Sequence, residues 1–192
     1  MSNTLRYNNT IPGNIYYSNN KVQNVYYNNV KVWSAIPLSG TLSVGNTVTF
    51  DNKSWIVVHN SGNQWYLATS DIIELIEFGS SDNYNNSTLA NRCVSWMNEN
   101  LSVTAQAYMQ NVTVNGVTAK VFVPSFGQVN GGFSYYNSNS RRICNLNGLA
   151  YYWWTSNKLY GNADYVGADG TLYSDTGWNI KKGFRPHICI QV

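Results

Sequence analysis

The feature that most restricts how this chain can fold is a series of short segments that alternate apolar and polar residues and end at Asn or Gly. The clearest example is segment 112–119, which reads Val-Thr-Val-Asn-Gly-Val-Thr-Ala. An Asn-Gly pair between two alternating runs readily adopts the two left-handed conformations of a type I′ turn. We therefore predict a β-hairpin whose turn is formed by Asn115 and Gly116.

The N-terminal segment contains an internal repeat. Segment 15–22, Ile-Tyr-Tyr-Ser-Asn-Asn-Lys-Val, is echoed by segment 25–32, Val-Tyr-Tyr-Asn-Asn-Val-Lys-Val, and a weaker copy begins at Leu5. Each copy alternates around an Asn-containing turn, which predicts short hairpins. Because such hairpins bury little surface alone, we interpret residues 1–37 as an attachment or oligomerisation segment that packs against another chain or against the main domain.

Longer strands are predicted beyond the repeats. Segments 47–50, 54–58 and 64–68 are rich in β-branched and aromatic residues and are separated by turn residues, so they read as an antiparallel meander. Near the C-terminus, segment 164–173 reads as a strand, a turn and a second strand. The chain closes with an alternating strand over 183–192.

Two helices are predicted between these strands. The shorter covers 71–78, with Ser70 or Asp71 as its N-cap. The clearer one covers 88–101 with Ser87 as its N-cap, because five of its residues fall at the three-and-four spacing of one buried face. Those five residues are Leu89, Cys93, Trp96, Met97 and Leu101.

Length and cysteine content indicate one main domain that folds without disulfide bonds. The chain has 192 residues, of which 43% are hydrophobic, and this is enough to fill a core. Three cysteines are too few and too odd in number for a disulfide scaffold, and none forms a C-x-x-C pair. We predict that Cys93, Cys144 and Cys189 are buried thiols.

The charge pattern and the N-terminal sequence restrict the partners. Only 11% of residues are charged, and the net charge of +3 arises after residue 140 without forming a basic stripe, so we expect no nucleic-acid partner. We expect no signal peptide and no membrane insertion, because the basic segment and the long apolar run that these require are missing from the sequence. A protein without a signal peptide still works outside the cell when lysis releases it as part of a virus particle.

The composition itself resembles that of a binding loop. Asn is the commonest residue, and the chain contains 15 Tyr, 7 Trp and 15 Gly. Tyr and Trp offer rigid contact faces, while Asn, Ser and Gly add adaptable hydrogen bonds. An A/T-rich genome, which favours Asn and Tyr codons, explains the same composition, so it supports binding only where aromatic residues cluster.

Residues suited to catalysis or metal binding are few and poorly arranged. His187 and Cys189 share one strand face, but a thiolate–imidazole pair also requires contact and exposure. Glycosidase chemistry needs two carboxylates across a cleft, whereas Glu74 and Glu77 lie one turn apart on the predicted short helix. The loop residues Asp164, Asp169 and Asp175 are the alternative carboxylate site, but Asp169-Gly170 is first a turn signal. The histidines and cysteines lack metal-ligand spacing. We therefore predict no catalytic residue, no metal and no cofactor, and a protein that is not an enzyme.

Five features extend over most of segment 44–192. They are a first hairpin, a Trp-Met-Asn run within the clearer helix, a Lys-Val-Phe-Val-Pro-Ser strand, a Trp-Trp-Thr-Ser run and a terminal Gly-Phe-Arg-Pro, at 48–55, 96–98, 120–125, 153–156 and 183–186. In order and spacing they resemble a bacterial and phage domain family of unknown function, itself similar to C-type-lectin-like and formylglycine-generating-enzyme-like domains. This resemblance implies an α+β, β-rich fold with antiparallel strands and about two helices. We accordingly expect a C-type-lectin-like ligand-binding domain over 38–192, preceded by the N-terminal hairpins.

The sequence also departs from these families. Calcium-dependent lectins hold their ion with Glu-Pro-Asn or Gln-Pro-Asp and a Trp-Asn-Asp run, which supply oxygens to a hard cation, and this sequence contains none of them. Formylglycine-generating enzymes need a pair of copper-binding cysteines, and Cys144 and Cys189 do not match that pair.

The N-terminal Tyr-Tyr-Asn-Asn-x-Lys-Val repeats resemble those of phage tail and baseplate proteins. Together the two resemblances imply a phage or prophage tail-associated receptor-binding protein, an adhesin, at the virion tail tip or extracellular after release. The implied partners are a host cell-surface glycan or protein, other virion subunits and copies of the same chain, most simply as a trimer. Some phage proteins with this type of domain are varied by a diversity-generating retroelement, and segment 151–179 has the Tyr, Asn, Ser and Asp content expected of that.

The predicted binding residues surround the aromatic run 151–154. If this run is a strand, Trp153 and Trp154 point to opposite faces, so one is core and we place Trp154 outward. The surrounding segments supply the other predicted ligand-binding residues, Tyr152, Asn157, Tyr160, Tyr173, Trp178 and Asn179. Such aromatic rings stack on sugars or bury a protein epitope, while the Asn side chains fix orientation.

Two other classes of function are compatible with the same sequence. One is a structural virion component whose Tyr repeats and aromatic face mediate subunit contacts. The other is an oxidase or hydrolase on the enzyme-like version of the fold, which requires a deep polar pocket with paired titratable groups.

Overall fold

The computed structural model describes residues 15–17, 20–22, 24–27, 30–34, 38–79, 83–159, 162–175 and 177–191. The N-terminal repeat forms two hairpins, as predicted. Strand β1 (Ile15–Tyr17) pairs antiparallel with β2 (Asn20–Val22), and β3 (Asn24–Tyr27) pairs antiparallel with β4 (Val30–Ser34). The weaker copy that begins at Leu5 lies outside the described residues.

The remaining strands follow one another in short steps. In chain order they are β5 (Leu38–Ser39), β6 (Thr47–Phe50), β7 (Lys53–Ser61), β8 (Gln64–Thr69), β9 (Glu74–Ile76), β10 (Met109–Gln110), β11 (Val112–Val114), β12 (Val117–Ala119), β13 (Val121–Phe122), β14 (Cys144–Leu146), β15 (Leu149–Tyr151), β16 (Trp153–Leu159), β17 (Asn162–Val166), β18 (Leu172–Asp175), β19 (Lys182–Phe184) and β20 (His187–Gln191).

The helices are fewer and shorter. Within the described part of the chain they are α1 (Thr88–Asn100), α2 (Val103–Tyr108) and α3 (Asn139–Arg142), with single 3₁₀ turns at Tyr84–Asn86 and Ser134–Tyr136 and a π-type turn at Gln128–Gly132. The fold is therefore β-rich with antiparallel sheets and few helices, which is consistent with the α+β class.

Two sheets organise the main domain. The larger has seven strands in the order β10-β20-β8-β7-β6-β5, with β13 also paired to β20. The smaller has five strands in the order β18-β17-β16-β19-β9. Every pairing in these sheets is antiparallel except that of β16 with β19, where Trp153 lies opposite Gly183. The predicted meander is confirmed, because β6, β7 and β8 are consecutive antiparallel neighbours.

Local signals explain the two most regular elements. Asn115 and Gly116 have φ angles of 47° and 81°, the left-handed pair that the predicted turn between β11 and β12 requires. Helix α1 begins after Ser87, whose hydroxyl accepts a hydrogen bond from the backbone N–H of Ala90 at 3.0 Å. Of the five residues predicted for its buried face, Met97 is partly buried and the other four are buried, with Trp96 at 2% exposed.

The predicted helix over 71–78 is wrong. Residues Glu74–Ile76 form strand β9, in which Leu75 lies opposite Gly183 and Glu74 opposite Phe184. This pairing satisfies the backbone groups of the segment at the edge of a sheet, and such tertiary pairing overrides a weak helix preference.

The core consists of two clusters of buried side chains, and the adjacent residues Trp153 and Trp154 belong to different ones. The larger cluster contains Trp55, Trp96 and Trp154, and the smaller contains Trp153 and Tyr136. Strand alternation therefore separates the two tryptophans as predicted. All three cysteines are buried free thiols, as predicted.

The expectation that Trp154 points outward is wrong. Its side chain is 0% exposed, because the ring of Phe78 packs edge-on against it at 5.5 Å. Its indole Nε1 donates a hydrogen bond to the backbone oxygen of Ile76 at 2.7 Å. Both faces of β16 are thus covered at this point.

Candidate ligand-binding surface

Three aromatic residues cross the five-stranded sheet in one row. Trp154 on β16 lies opposite Tyr165 on β17, which lies opposite Tyr173 on β18. The second pairing follows from the tight connection between β17 and β18, where Gly170 adopts a φ of +78°. Directly opposed residues in antiparallel strands point to the same face, so the three rings are neighbours.

The rings of this row contact each other in sequence. Tyr165 and Tyr173 are stacked, with ring centroids 5.4 Å apart and planes inclined by 22°. Tyr165 also contacts Trp154 edge-on at 6.2 Å and Tyr152 edge-on at 6.0 Å. Such pairs add about 0.5–1.5 kcal/mol each beyond the burial of area. We call Tyr152, Tyr165 and Tyr173 the tyrosine surface.

Exposure rises from the core end of the row to its edge. Trp154 is buried, Tyr165 is half-buried, and Tyr152 and Tyr173 are 44% and 41% exposed. The buried end anchors the rings, while the outer end presents aromatic faces to solvent. A set of solvent-facing rings held in place by a buried anchor is the arrangement that a preorganised binding surface requires.

A buried lysine lies beneath the tyrosine surface. The Nζ of Lys182 is 4.2 Å from the ring centroid of Tyr165 and 4.4 Å from that of Trp154, within the range of cation–π attraction. Lys182 is only 6% exposed. Burial lowers the pKa of Lys182, and the nearby negative charge of Asp175 opposes that shift.

Two carboxylates, those of Asp169 and Asp175, lie near the same rings. The phenol of Tyr173 donates to Oδ2 of Asp169 at 3.3 Å. Hydrogen bonds from the backbone N–H and hydroxyl of Thr171 lower the pKa of Asp169. Asp164 pairs with Ser174 on the other face of the sheet, where burial raises its pKa. Asp175 is exposed at the end of β18. Ionised carboxylates accept but do not donate hydrogen bonds, so this surface offers acceptors beside apolar rings.

The other residues predicted for the site lie in several environments. Asn157 is half-buried, and its Oδ1 accepts from the backbone N–H of Phe126 at 2.7 Å and from Nδ2 of Asn115 at 3.1 Å. It therefore holds neighbouring loops together. Trp178 is half-buried and packs against the larger cluster, whereas Asn179 is exposed. Tyr160 lies outside the described residues.

Sequence reasoning missed two members of the site. The position of Tyr165 beside Tyr173 could have been predicted, because the tight turn at residues 167–171 sets the register of the two strands that flank it. Lys182 had none, since it reaches the rings only through the parallel pairing of β19 with β16. That pairing joins segments that are distant in sequence.

The candidate pair His187 and Cys189 belongs to the interior. The Nε2 of His187 lies 2.8 Å from the hydroxyl of Tyr136, and its Nδ1 lies 3.0 Å from the backbone oxygen of Arg185. Burial, followed by the positive charge of Arg185, lowers the pKa of His187 well below its ordinary value. Burial raises the pKa of Cys189 to about 11. Both groups are therefore neutral at neutral pH, and the imidazole is committed to structural hydrogen bonds.

Arg185 is buried in the same interior. It is 1% exposed, and its Nε donates to the backbone oxygen of Thr69 at 3.2 Å. Its guanidinium also lies 5.1 Å from the ring centroid of Trp153 and 5.6 Å from that of Tyr136.

The described ranges of the chain contain neither a ligand set for a metal ion nor a membrane-spanning helix. No group of three His, Cys, Asp or Glu side chains there is placed to hold a metal ion. None of the helices there has the length and apolar character needed to cross a bilayer.

Compared with protein-family models, with curated proteins and with solved structures, the chain matches none of them. What is established is a β-rich domain with antiparallel sheets, which presents exposed tyrosine rings on its five-stranded sheet.

Proposed function

We propose that the chain is a receptor-binding protein, an adhesin of a phage or prophage tail, which contacts a host cell-surface glycan or protein through the tyrosine surface. The observation that carries the proposal is the ring row on the five-stranded sheet, in which Tyr152 and Tyr173 stay exposed while Tyr165 joins them to the core.

Preorganisation supports a binding role for these rings. The ring of Tyr173 stacks on Tyr165, and its hydroxyl is held by Asp169. A side chain that is already ordered loses little conformational entropy when it contacts a ligand. Tyr is suited to this because it presents a large face with only two side-chain torsions.

The polar groups around the rings define what a ligand must offer. Asp169 and Asp175 place negative charge at the edge of the tyrosine surface, which favours a ligand that is rich in hydroxyl or amide donors and carries no negative charge. Sugar rings combine such donors with an apolar face, and protein epitopes combine backbone N–H groups with apolar side chains. Both belong to the proposed partner classes.

The setting is proposed from the sequence resemblances. The main domain is proposed to be C-type-lectin-like, with residues 1–37 attaching it to other virion subunits or joining three copies of the chain. A β-rich fold with few helices and paired strands in both repeats is compatible with that arrangement.

The test compares binding of the wild-type chain and of the double variant Tyr152→Ala/Tyr173→Ala to glycan arrays and to whole cells of candidate bacterial hosts. The expected loss is at least tenfold in affinity, which corresponds to about 1.4 kcal/mol. Leu149→Ala is the matched control, because Leu149 is 74% exposed on β15 and is not part of the tyrosine surface. Equal binding by the double variant and the control would remove the tyrosine surface from the proposal.

A further inference from the structure

The chain contains three Asn-Gly pairs, at 115–116, 130–131 and 147–148. An Asn side chain before Gly is chemically labile, because the backbone nitrogen of a residue without a side chain reaches the amide carbon with little steric hindrance. The attack requires backbone conformations that a closed turn does not allow, so its rate in a folded protein depends on how easily each segment opens. The structure places the three pairs in different surroundings.

Asn115 is tethered to the main domain. Its Nδ2 donates to Oγ of Ser156 at 2.9 Å and to Oδ1 of Asn157 at 3.1 Å. The hydroxyls of Thr113 and Thr118 are bonded to each other across the hairpin at 2.7 Å. These bonds fix the reactive amide to strand β16 and hold β11 and β12 together, so the turn resists local opening.

Asn130 lies in the π-type turn Gln128–Gly132, which is anchored at both sides. The backbone N–H of Phe133 donates to the backbone oxygen of Gln128 at 2.7 Å. Val129 and Phe133 flank the pair and are both buried. Opening this turn exposes apolar side chains to water and is therefore costly.

Asn147 repeats the turn of Asn115 without its tether. Asn147 and Gly148 have φ angles of 52° and 82°, close to those of the first pair, and they join strands of the same length. Both residues are exposed, and the side chain of Asn147 makes no hydrogen bond within the described part of the chain. The amide of Asn147 is therefore free to move.

The hairpin around Asn147 is also held on one strand only. The backbone N–H of Ile72 donates to the backbone oxygen of Asn145 on β14 at 2.9 Å. On β15, by contrast, Leu149 is 74% exposed and Ala150 is exposed as well. An isolated two-stranded hairpin is marginally stable, so this one opens most easily by release of β15.

We infer that Asn147 is a site of spontaneous deamidation, whereas the fold protects Asn115 and Asn130. The backbone nitrogen of Gly148 loses its proton and attacks Cγ of Asn147. The bond between Cγ and Nδ2 then breaks, ammonia leaves with a proton from solvent, and a cyclic succinimide remains. Water adds to either ring carbonyl and opens the ring to aspartate or isoaspartate, so the whole conversion consumes one water and releases one ammonia.

This modification lies beyond the proposed function and does not depend on it. Either product adds a negative charge at an exposed turn, and isoaspartate also lengthens the backbone of the hairpin by one methylene group. Tyr151 at the end of β15 lies opposite Cys144 and immediately precedes Tyr152. The altered hairpin therefore leads directly into the tyrosine surface.

The experiment incubates the folded full-length chain at mildly alkaline pH and follows the three sites by peptide mapping with tandem mass spectrometry. A parallel sample in concentrated urea gives the rate of each site without the fold. We expect comparable rates in urea. In the folded chain Asn147 should react at least tenfold faster than Asn115 and Asn130, which corresponds to about 1.4 kcal/mol. A folded-state rate at Asn147 that does not exceed the other two would overturn the inference.

Two variants test the physical cause. Asn145→Thr/Ala150→Thr copies the Thr113–Thr118 pair at the equivalent cross-strand positions and should slow Asn147 severalfold without changing the rate at Asn130. Asn157→Ala removes one acceptor of the Asn115 amide and should speed Asn115 alone. Unchanged rates in both variants would overturn hairpin opening as the determinant. If a variant fails to fold, the wild-type comparison of folded and urea-treated chains still decides.

Discussion

The hydroxyl of Tyr136 lies 2.8 Å from Nε2 of His187 in the interior of the smaller cluster. The Nδ1 of His187 faces the backbone oxygen of Arg185, and a carbonyl only accepts. The proton of the neutral imidazole is therefore on Nδ1, and the phenol of Tyr136 donates to the bare Nε2. Protonation of His187 would require the Tyr136 hydroxyl to turn and accept from Nε2–H, and it would place a second cation beside Arg185.

Acid should consequently destabilise the fold through His187. Its folded-state pKa is lowered, so the unfolded state binds a proton that the folded state excludes, and stability falls as the pH drops below the unfolded pKa of about 6.5. We expect a loss of up to ~1.4 kcal/mol per pH unit below that value. Urea unfolding between neutral and mildly acidic pH measures it.

His187→Gln should flatten this pH dependence, although it lowers stability at neutral pH. His59→Gln is the comparison, because His59 is only half-buried and burial lowers its pKa less strongly. A pH profile that is unchanged in His187→Gln would show that the acid sensitivity arises elsewhere.

Truncation of Trp154 should cost much more stability than truncation of Tyr173, although the two residues belong to one row. Trp154→Ala removes a fully buried ring and should cost roughly 3–5 kcal/mol of unfolding free energy. Tyr173→Ala removes a half-exposed ring and should cost no more than ~1.5 kcal/mol, mainly through its stacking on Tyr165. Thermal and denaturant unfolding measure both, and Trp96→Ala is the core control. Similar costs for Trp154 and Tyr173 would contradict the gradient of burial.

Gly170 should tolerate no side chain. A Cβ there would collide with the backbone oxygen of Asn139, whereas one at Gly148 would meet nothing within 4 Å. Both glycines have a positive φ, +78° and +82°, so Gly148→Ala reports the backbone strain alone, roughly 1–2 kcal/mol. Gly170→Ala should cost a further ~1–3 kcal/mol through the collision. Equal destabilisation in unfolding experiments would remove the collision as the cause.

The N-terminal repeat should promote self-association. Short hairpins bury little surface alone, so we expect the full-length chain to form a trimer and a chain without residues 1–37 to associate less. Light scattering over a range of concentrations measures both. A monomer in both cases at high concentration would contradict the predicted oligomerisation segment.

Part of the tyrosine surface could be foreseen from single segments. Tyr152 and Tyr173 are predicted as site residues because each lies in an aromatic, Asn-rich part of the chain. Both side chains are exposed in the structure. Their contact with one another through Tyr165 depends on strand register, and only the β17–β18 part of that register follows from a local turn. Lys182 enters the site through a pairing across the sheet that no local pattern indicates.

The sequence by itself determined the elements whose energetics are local. The turn at Asn115 and Gly116, the cap at Ser87 and the buried face of α1 depend on residues within about one turn of each other, and all three are found. Only the tertiary structure decided that segment 74–76 is an edge strand and that Trp154 points into the core. Those outcomes depend on partners distant in sequence, Phe184 and Phe78, whose contacts outweigh the small local preferences that a sequence pattern records.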